Sequence, residues 1–164
     1  MTDEVVIRRE LRSGDAAAIA ELHRRVYQQE FGMNDEFVSG VAAGVREAAA
    51  RGWPRTTGAV WLIEPAGELA GSLALTVESS GAGRVRWFVL DRSLRGRGLG
   101  RRLIAELLAQ ARTAGLAELE LETFGALSVA ARIYRAAGFR VVSERERTDW
   151  GRPITYQRYE LQLR

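Results

Sequence analysis

The stretch VLDRSLRGRGLGR, residues 89–101, decides the fold of this chain. It continues an apolar run at residues 85–90, which predicts a buried strand, and it enters an amphipathic pattern at residues 98–114, which predicts a helix. Glycine occupies every second position from 96 to 100, and glycine permits a positive φ and a close approach of a ligand to the backbone. The first N–H groups of a helix lack internal partners and carry partial positive charge. The stretch therefore predicts an anion site suited to phosphate.

Arginine strengthens this prediction, since residues 91–102 hold five arginines against one acid. A P-loop requires a lysine, and the chain contains none. The dinucleotide-binding pattern G-x-G-x-x-G fails because its third glycine is missing in either register. The pattern that fits is Arg-x-x-Gly-x-Gly, at Arg95, Gly98 and Gly100. A glycine turn with a purely structural role remains the alternative at this point.

Outward from the turn, strands and helices follow in the order βααβββαβαββ. The strands are predicted at residues 5–11, 60–64, 69–78, 85–90, 119–123, 139–144 and 156–163, and the helices at residues 16–29, 35–51, 98–114 and 128–137. Both hairpins and crossovers occur, so the predicted fold class is α/β with a mixed sheet. A length of 164 residues suits a single domain, which we place at residues 1–164.

Composition excludes several classes of protein. The chain is 46% hydrophobic and 27% charged, as in folded globular proteins. No apolar run reaches the roughly 18 residues of a membrane span, and the N-terminus lacks the basic and apolar order of a signal peptide, so we expect a cytoplasmic protein without membrane contact. The absence of cysteine excludes disulfides and thiolate nucleophiles. With one histidine, His23, we expect no metal, although a carboxylate-only magnesium site stays open.

A second block, AARIYRAAGF at residues 130–139, accompanies the turn. Together they resemble the GCN5-related N-acetyltransferase (GNAT) superfamily, with its Arg/Gln-x-x-Gly-x-Gly/Ala turn and its A-x-x-[IL]-Y-x-x-x-G-F helix end. The resemblance is strongest over residues 84–140. It implies a single GNAT-like domain with a mostly antiparallel sheet, splayed central strands and flanking helices. It also implies transfer of an acetyl group from acetyl-CoA, the acyl-donor cosubstrate, to an amine of a small molecule or protein.

The resemblance assigns roles by position. In the family, backbone amides of the turn hold the coenzyme pyrophosphate and the fourth strand bonds the pantetheine arm. The implied coenzyme-binding residues are Phe88, Val89, Leu90, Arg95, Gly96, Arg97, Gly98, Leu99, Gly100 and Arg101. Tyr134 takes the place of the tyrosine that protonates the departing thiolate, and a phenol is protonated at neutral pH. Leu127 departs from the family, which commonly has a coenzyme-contacting asparagine there.

The proton acceptor and the acceptor pocket are less well specified by the sequence. A carboxylate near the fourth strand often acts as the base in the family, and we select Glu78 here, with Glu122, His23 and Glu30 as alternatives. His23 is expected on an exposed helix. The side chains expected to line the acceptor pocket or attract a cationic amine are Tyr27, Phe31, Trp53, Trp150, Glu30, Asp35 and Glu36.

Other functions stay open from the sequence. The strand, the turn and the Tyr134 block, followed by a Trp-Gly loop and the strand QRYEL, are similar to acetyltransferase domains fused behind MarR-type regulators. This chain would be a stand-alone relative of such domains or an excised domain. The principal alternative is a non-catalytic acyl-CoA-binding sensor or regulatory module. Nucleic-acid binding is disfavoured, because a glycine turn at a helix start suits one compact anion better than an extended phosphate track. A homodimer is left open.

Overall fold

The computed structural model describes residues 5–164, so the first four residues of the predicted domain lie outside the described part. The strands are β1 (Ile7–Arg8), β2 (Ala59–Ile63), β3 (Gly71–Val77), β4 (Gly83–Leu90), β5 (Glu118–Phe124), β6 (Arg140–Arg147) and β7 (Ile154–Gln162). The helices are α1 (Asp15–His23), α2 (Gln29–Phe31), α3 (Asp35–Ala50), α4 (Leu99–Thr113) and α5 (Ser128–Ala136). A π-helical segment, Arg24–Gln28, joins α1 to α2 without a break.

The seven strands form one sheet in the order β1-β2-β3-β4-β5-β7-β6. Every neighbouring pair is antiparallel except β4 and β5, which are parallel. The predicted α/β class with a mixed, mostly antiparallel sheet is confirmed. The first predicted strand, residues 5–11, is reduced to the two residues of β1, which pair with the end of β2.

Helices cover both faces of the sheet, and β2 shows how. Its residues alternate between two cores: Trp61 and Ile63 pack with α4 and α5, whereas Val60 and Leu62 pack with α1 and α3. All five residues of β2 are buried for this reason, which explains an apolar run without polar alternation.

The centre of the sheet is splayed, as the resemblance implies. The parallel strands β4 and β5 pair only at Gly83 with Leu119 and Arg84 with Glu120, and they separate beyond that point. On the other edge of β4 a bulge shifts the register, and Trp87 within it has a φ of 48°. The Ser72 hydroxyl donates a 2.6 Å hydrogen bond to the Trp87 carbonyl and fixes the bulge. Bulges re-aim side chains, and this one turns successive residues of β4 towards the opening between the strands.

Candidate active site

The turn between β4 and α4 presents a run of unused backbone donors. From Gly96 to Arg101, no backbone N–H group donates a hydrogen bond to any of residues 5–164, and the first helical bond runs from Arg102 N–H to the Gly98 carbonyl. No side chain caps the helix, and the turn is solvent-exposed up to Gly98. Six consecutive free N–H groups at a helix N-terminus form an anion cradle.

The glycines of this turn have two different roles. Gly96 and Gly98 have φ values of 77° and 73°, and a Cβ atom at either would meet no heavy atom within 4 Å. These positions therefore face open space where a ligand can approach. Gly100 is helical, and a Cβ there would lie 2.9 Å from Cδ1 of Ile133. The expectation that all three glycines supply positive φ is thus wrong for Gly100, which is needed for the packing of α4 on α5.

Arg95 is held by its own chain. Its backbone N–H donates to the Arg92 carbonyl, so the free amides begin one residue later than predicted. Its guanidinium forms a bidentate pair with Glu30, at 2.6 and 2.8 Å, and donates to the Leu90 carbonyl at 3.0 Å. Hydrogen bonding to Arg95 lowers the pKa of Glu30, and this carboxylate lines none of the depressions described below. Glu30 therefore links the first helical segment to the turn.

A cleft of about 170 Å³ begins at the turn and runs along the splayed edge of β4. Phe88, Val89, Leu90 and Arg95 line one side, and the start of α5 lines the other. The three predicted strand residues and Arg95 therefore line one groove, whereas the predicted residues from Gly96 to Arg101 do not line it. Leu127, where the family commonly has asparagine, also lines it.

A second pocket of about 300 Å³ opens on the other side of the splay, the gap where β4 and β5 separate. Its walls are rich in aromatic side chains, and Tyr27 borders both this pocket and the cleft. The Tyr27 hydroxyl donates to the Phe88 carbonyl at 3.3 Å, on the edge of β4 that β5 leaves free. Burial raises the pKa of Tyr27, so the hydroxyl stays protonated. The π-helical turn that carries Tyr27 is a local irregularity of the kind found at functional sites.

Tyr134 lies at the inner wall of the second pocket. Its ring packs against Phe88, Phe139 and Tyr159 at centroid distances of 6.1, 6.0 and 5.8 Å, so the side chain is fixed in position. Burial raises the pKa of Tyr134 above its ordinary value of 10. A buried phenol that keeps its proton at neutral pH is suited to donate it.

His23 is buried, not exposed as predicted, with 3% of its surface accessible. It lies four residues after Ile19 and four before Tyr27, a helical spacing that could have placed it on the inner face. Its Nδ1 is 2.7 Å from the Ile19 carbonyl, which can only accept, so the neutral ring carries its proton on Nδ1. Burial lowers the pKa of His23 to about 4, so it is a weak base at neutral pH.

This burial predicts a pH-dependent stability. The pKa of His23 is about 4 in the folded protein and 6.5 in the unfolded chain. As the pH falls from 6.5 to 4, the unfolded chain therefore binds a proton that the folded protein does not bind, and the folded state loses stability. We expect the free energy of unfolding to fall by about 2 kcal/mol more in the wild type than in His23→Gln between pH 7 and pH 4.5. Urea unfolding at both values measures this. Equal losses in the two proteins would contradict the assignment.

The carboxylates near the splay are divided between two depressions. Glu122 and Glu36 line the pocket that holds Tyr134. Glu122 accepts hydrogen bonds from Arg84, at 2.9 Å, and from the Tyr156 hydroxyl. Glu78 lies outside this pocket, in a separate depression at the far end of β4. The geometry therefore places Glu122, and not Glu78, in the pocket that Tyr134 lines.

The remaining predicted pocket residues are also separated. Trp150 lines the pocket with Tyr134, whereas Phe31 lines the cleft. Trp53 is a core residue, and its Nε1 donates to the Leu75 carbonyl at 2.9 Å. Asp35 accepts a 2.8 Å hydrogen bond from Gln28 and lines neither space.

The geometry of turn, splay and buried tyrosine agrees with a comparison to protein families. The profile described as "Acetyltransferase (GNAT) family" matches residues 17–139. The chain belongs to the GNAT acetyltransferase family. The prediction made from the turn and the Tyr134 helix is thereby confirmed at the level of the family.

Solved structures share this GNAT fold at low sequence identity. The yncA protein of Salmonella typhimurium, solved with its cofactor acetyl-CoA, is 20% identical with a TM-score of 0.73, and the match covers 98% of this chain and 95% of that one. A GNAT-family protein of Desulfovibrio desulfuricans is 21% identical at 0.75, with 98% and 100% covered. The ribosomal-protein-alanine N-acetyltransferase of Brucella melitensis is 17% identical at 0.71, with 96% and 99% covered. A comparison with curated proteins gives no significant match.

Membrane-spanning helices and metal clusters are both absent from the described residues of this GNAT domain. Across the described residues 5–164, no helix combines the length and apolar character that crossing a bilayer requires. Within the same residues, no cluster of three or more histidine, aspartate or glutamate side chains is placed to hold a metal ion.

Proposed function

We propose that this chain is an N-acetyltransferase that moves the acetyl group of acetyl-CoA to an amine by direct attack. The observation that carries the proposal is the run of six free N–H groups from Gly96 to Arg101 at the start of α4. These donors suit the pyrophosphate of the coenzyme. The cleft beside Arg95 shares Tyr27, Phe88 and Leu127 with the pocket that Tyr134 lines. The yncA structure, which contains acetyl-CoA, supports the same donor here.

The proposed coenzyme site follows the cleft. The pyrophosphate lies on the amides of Gly96, Arg97, Gly98, Leu99, Gly100 and Arg101. Arg95 lines the adjoining cleft and is held there by its ion pair with Glu30. The pantetheine arm lies along the free edge of β4 at Phe88, Val89 and Leu90, where β5 supplies no backbone partners. A backbone amide of β4 near Val89 is the candidate that polarises the thioester carbonyl.

The acceptor enters from the pocket on the other side of the splay. Its neutral amine attacks the thioester carbonyl, a C–N bond forms, and the C–S bond breaks. Tyr134 donates its proton to the departing thiolate, and burial keeps that proton in place beforehand. We propose Glu122 as the acceptor of the amine proton in place of Glu78, because Glu122 lines this pocket and Glu78 does not.

A thiol-release assay tests the function. Acetyl-CoA is incubated with the protein and a panel of small amines and peptides, and free CoA is measured with a thiol reagent. Release that depends on both the protein and an amine, together with the acetylated amine in a mass spectrum, supports the proposal. Tight binding of CoA without release for any amine would favour the sensor alternative.

The two glutamates give a matched pair for the proton acceptor. We expect Glu122→Gln to lower kcat at least tenfold near neutral pH, because the amide cannot accept the proton, and Glu78→Gln to remain within twofold of the wild type. The measurement is the pH dependence of kcat for both variants. A larger loss in Glu78→Gln would return the assignment to that residue.

The finer features of the function are also proposals. We propose that residues 1–164 act as a single domain, that the protein works in the cytoplasm, and that the relationship to acetyltransferase domains of MarR-type regulators is one of sequence ancestry. A homodimer is compatible with this function, and sedimentation tests it.

A further inference from the structure

One arginine in the acceptor pocket has no partner. The Arg86 guanidinium lies over the ring of Trp87, 4.3 Å from its centroid, and it forms no ion pair or hydrogen bond with residues 5–164. Arg84, two residues earlier, is paired with Glu122 at 2.9 Å and lies 4.0 Å from Glu78. Half-buried cations are ordinarily paired, and Arg86 is a cation with five unused donors. It lines both the acceptor pocket and the separate depression that holds Glu78.

Helix α3 is shaped around this guanidinium. A Cβ atom at Gly44 would lie 2.9 Å from Nη2 of Arg86 and 3.2 Å from the Trp87 ring, so glycine allows the stack to fit under the helix. One turn earlier, Gly40 lines the pocket, and a Cβ there would meet nothing within 4 Å. Glycine is unfavourable inside a helix, and here two glycines on one face position Arg86 and keep the space beside it open.

We infer that Arg86 binds the carboxylate of the acceptor, and that the acceptor is a free amino acid acetylated on its α-amine. This inference rests on the proposed function and names its substrate class. A guanidinium matches a carboxylate with two parallel hydrogen bonds. Arg86 and Phe88 are two residues apart on β4 and both line this pocket, so the short skeleton of an α-amino acid suits the space between a carboxylate held at Arg86 and an amine near Phe88.

The remaining pocket walls fit the rest of such a molecule. Phe37, Phe124 and Trp150 present apolar surface for a side chain, and Glu36 provides a negative charge for an arriving ammonium group. The nearby Glu122 does not compete for Arg86, because Arg84 and Tyr156 bind it. A volume of about 300 Å³ suits a single amino acid with an apolar side chain.

Matched acceptors test this on the wild-type protein. Phenylalanine, phenylalanine amide and phenethylamine have the same apolar group, and only phenylalanine has a carboxylate. Leucine and methionine, each compared with its amide, extend the series. With rates expressed per neutral amine, we expect kcat/KM for the free acids to exceed that of the amides at least tenfold. Equal values, or a preference for amides or for the N-terminus of a short peptide, would overturn the inference.

Variants assign the preference to Arg86. In Arg86→Gln, the ratio of kcat/KM for the acid to kcat/KM for its amide should fall at least tenfold, mainly because KM for the acid rises. Arg46 is exposed on α3, and Arg46→Gln should keep the wild-type ratio. An unchanged ratio in Arg86→Gln would overturn the assignment. Thiol release from amides alone contradicts this inference only, whereas no release with any amine contradicts the proposed function.

Discussion

Gly98→Trp is expected to weaken CoA binding at least 100-fold while the protein stays folded. The φ of Gly98 is 73°, and its Cβ position faces open space in the anion cradle. A tryptophan there fills the space that the pyrophosphate needs and shields the free N–H groups that follow. Loss of charge-assisted hydrogen bonds from several amides accounts for about 3 kcal/mol, which is the size of a 100-fold change.

Gly81→Trp is the matched control for this variant. Gly81 also has a positive φ, 91°, and its Cβ would also meet nothing within 4 Å, but it lies in the turn between β3 and β4, at the end of β4 opposite the cradle. Both variants carry similar backbone strain, so their melting temperatures should fall alike. Calorimetric titration with CoA then separates them. Normal CoA binding by Gly98→Trp would remove the basis of the proposed coenzyme site.

The sequence specified the turn and the order of elements because both depend on local signals. An apolar strand, alternating glycines and an amphipathic helix within residues 85–114 are sufficient to predict a strand, a turn and a helix N-terminus. The two-residue length of β1 could not be predicted in this way, because pairing with β2 decides where the strand ends.

The side-chain positions around the gap between β4 and β5 could not be predicted from the sequence. The bulge at Trp87 depends on the register of β4 against β3, which is a non-local property. This register places the unpaired Arg86 side chain between the pocket with Tyr134 and the depression with Glu78, and nothing in the local pattern of β4 signals it. Likewise, the division of Glu78 and Glu122 between two depressions follows from the point where β4 and β5 separate.

Ion pairs between distant residues could not be predicted from the sequence either. Glu30 was a reasonable candidate base on a helix near the acceptor site, but the folded chain pairs it with Arg95, 65 residues away. The pairing makes Glu30 a link between the first helical segment and the turn that precedes α4. A contact over this separation leaves no periodic signal, whereas the burial of His23 follows the helical period and was available in principle.

Tyr134→Phe is expected to lower kcat about 100-fold with little change in CoA affinity. The substitution removes one hydroxyl and retains the ring contacts with Phe88, Phe139 and Tyr159, so the pocket keeps its shape. The departing thiolate then lacks its proton donor, and general acid catalysis typically contributes 10²-fold or more. Single-turnover rates at saturating acetyl-CoA and amine measure the effect.

The pH profile and a neighbouring tyrosine make this test specific. Burial raises the pKa of Tyr134 above 10, so the wild type should not lose its proton donor between pH 7 and pH 9. Tyr159→Phe removes a hydroxyl from a fully buried ring that contacts Tyr134 but does not line the pocket, and its kcat should remain within twofold of the wild type. If both variants lose activity equally, packing and not proton donation is responsible, because of these two tyrosines only Tyr134 lines the pocket.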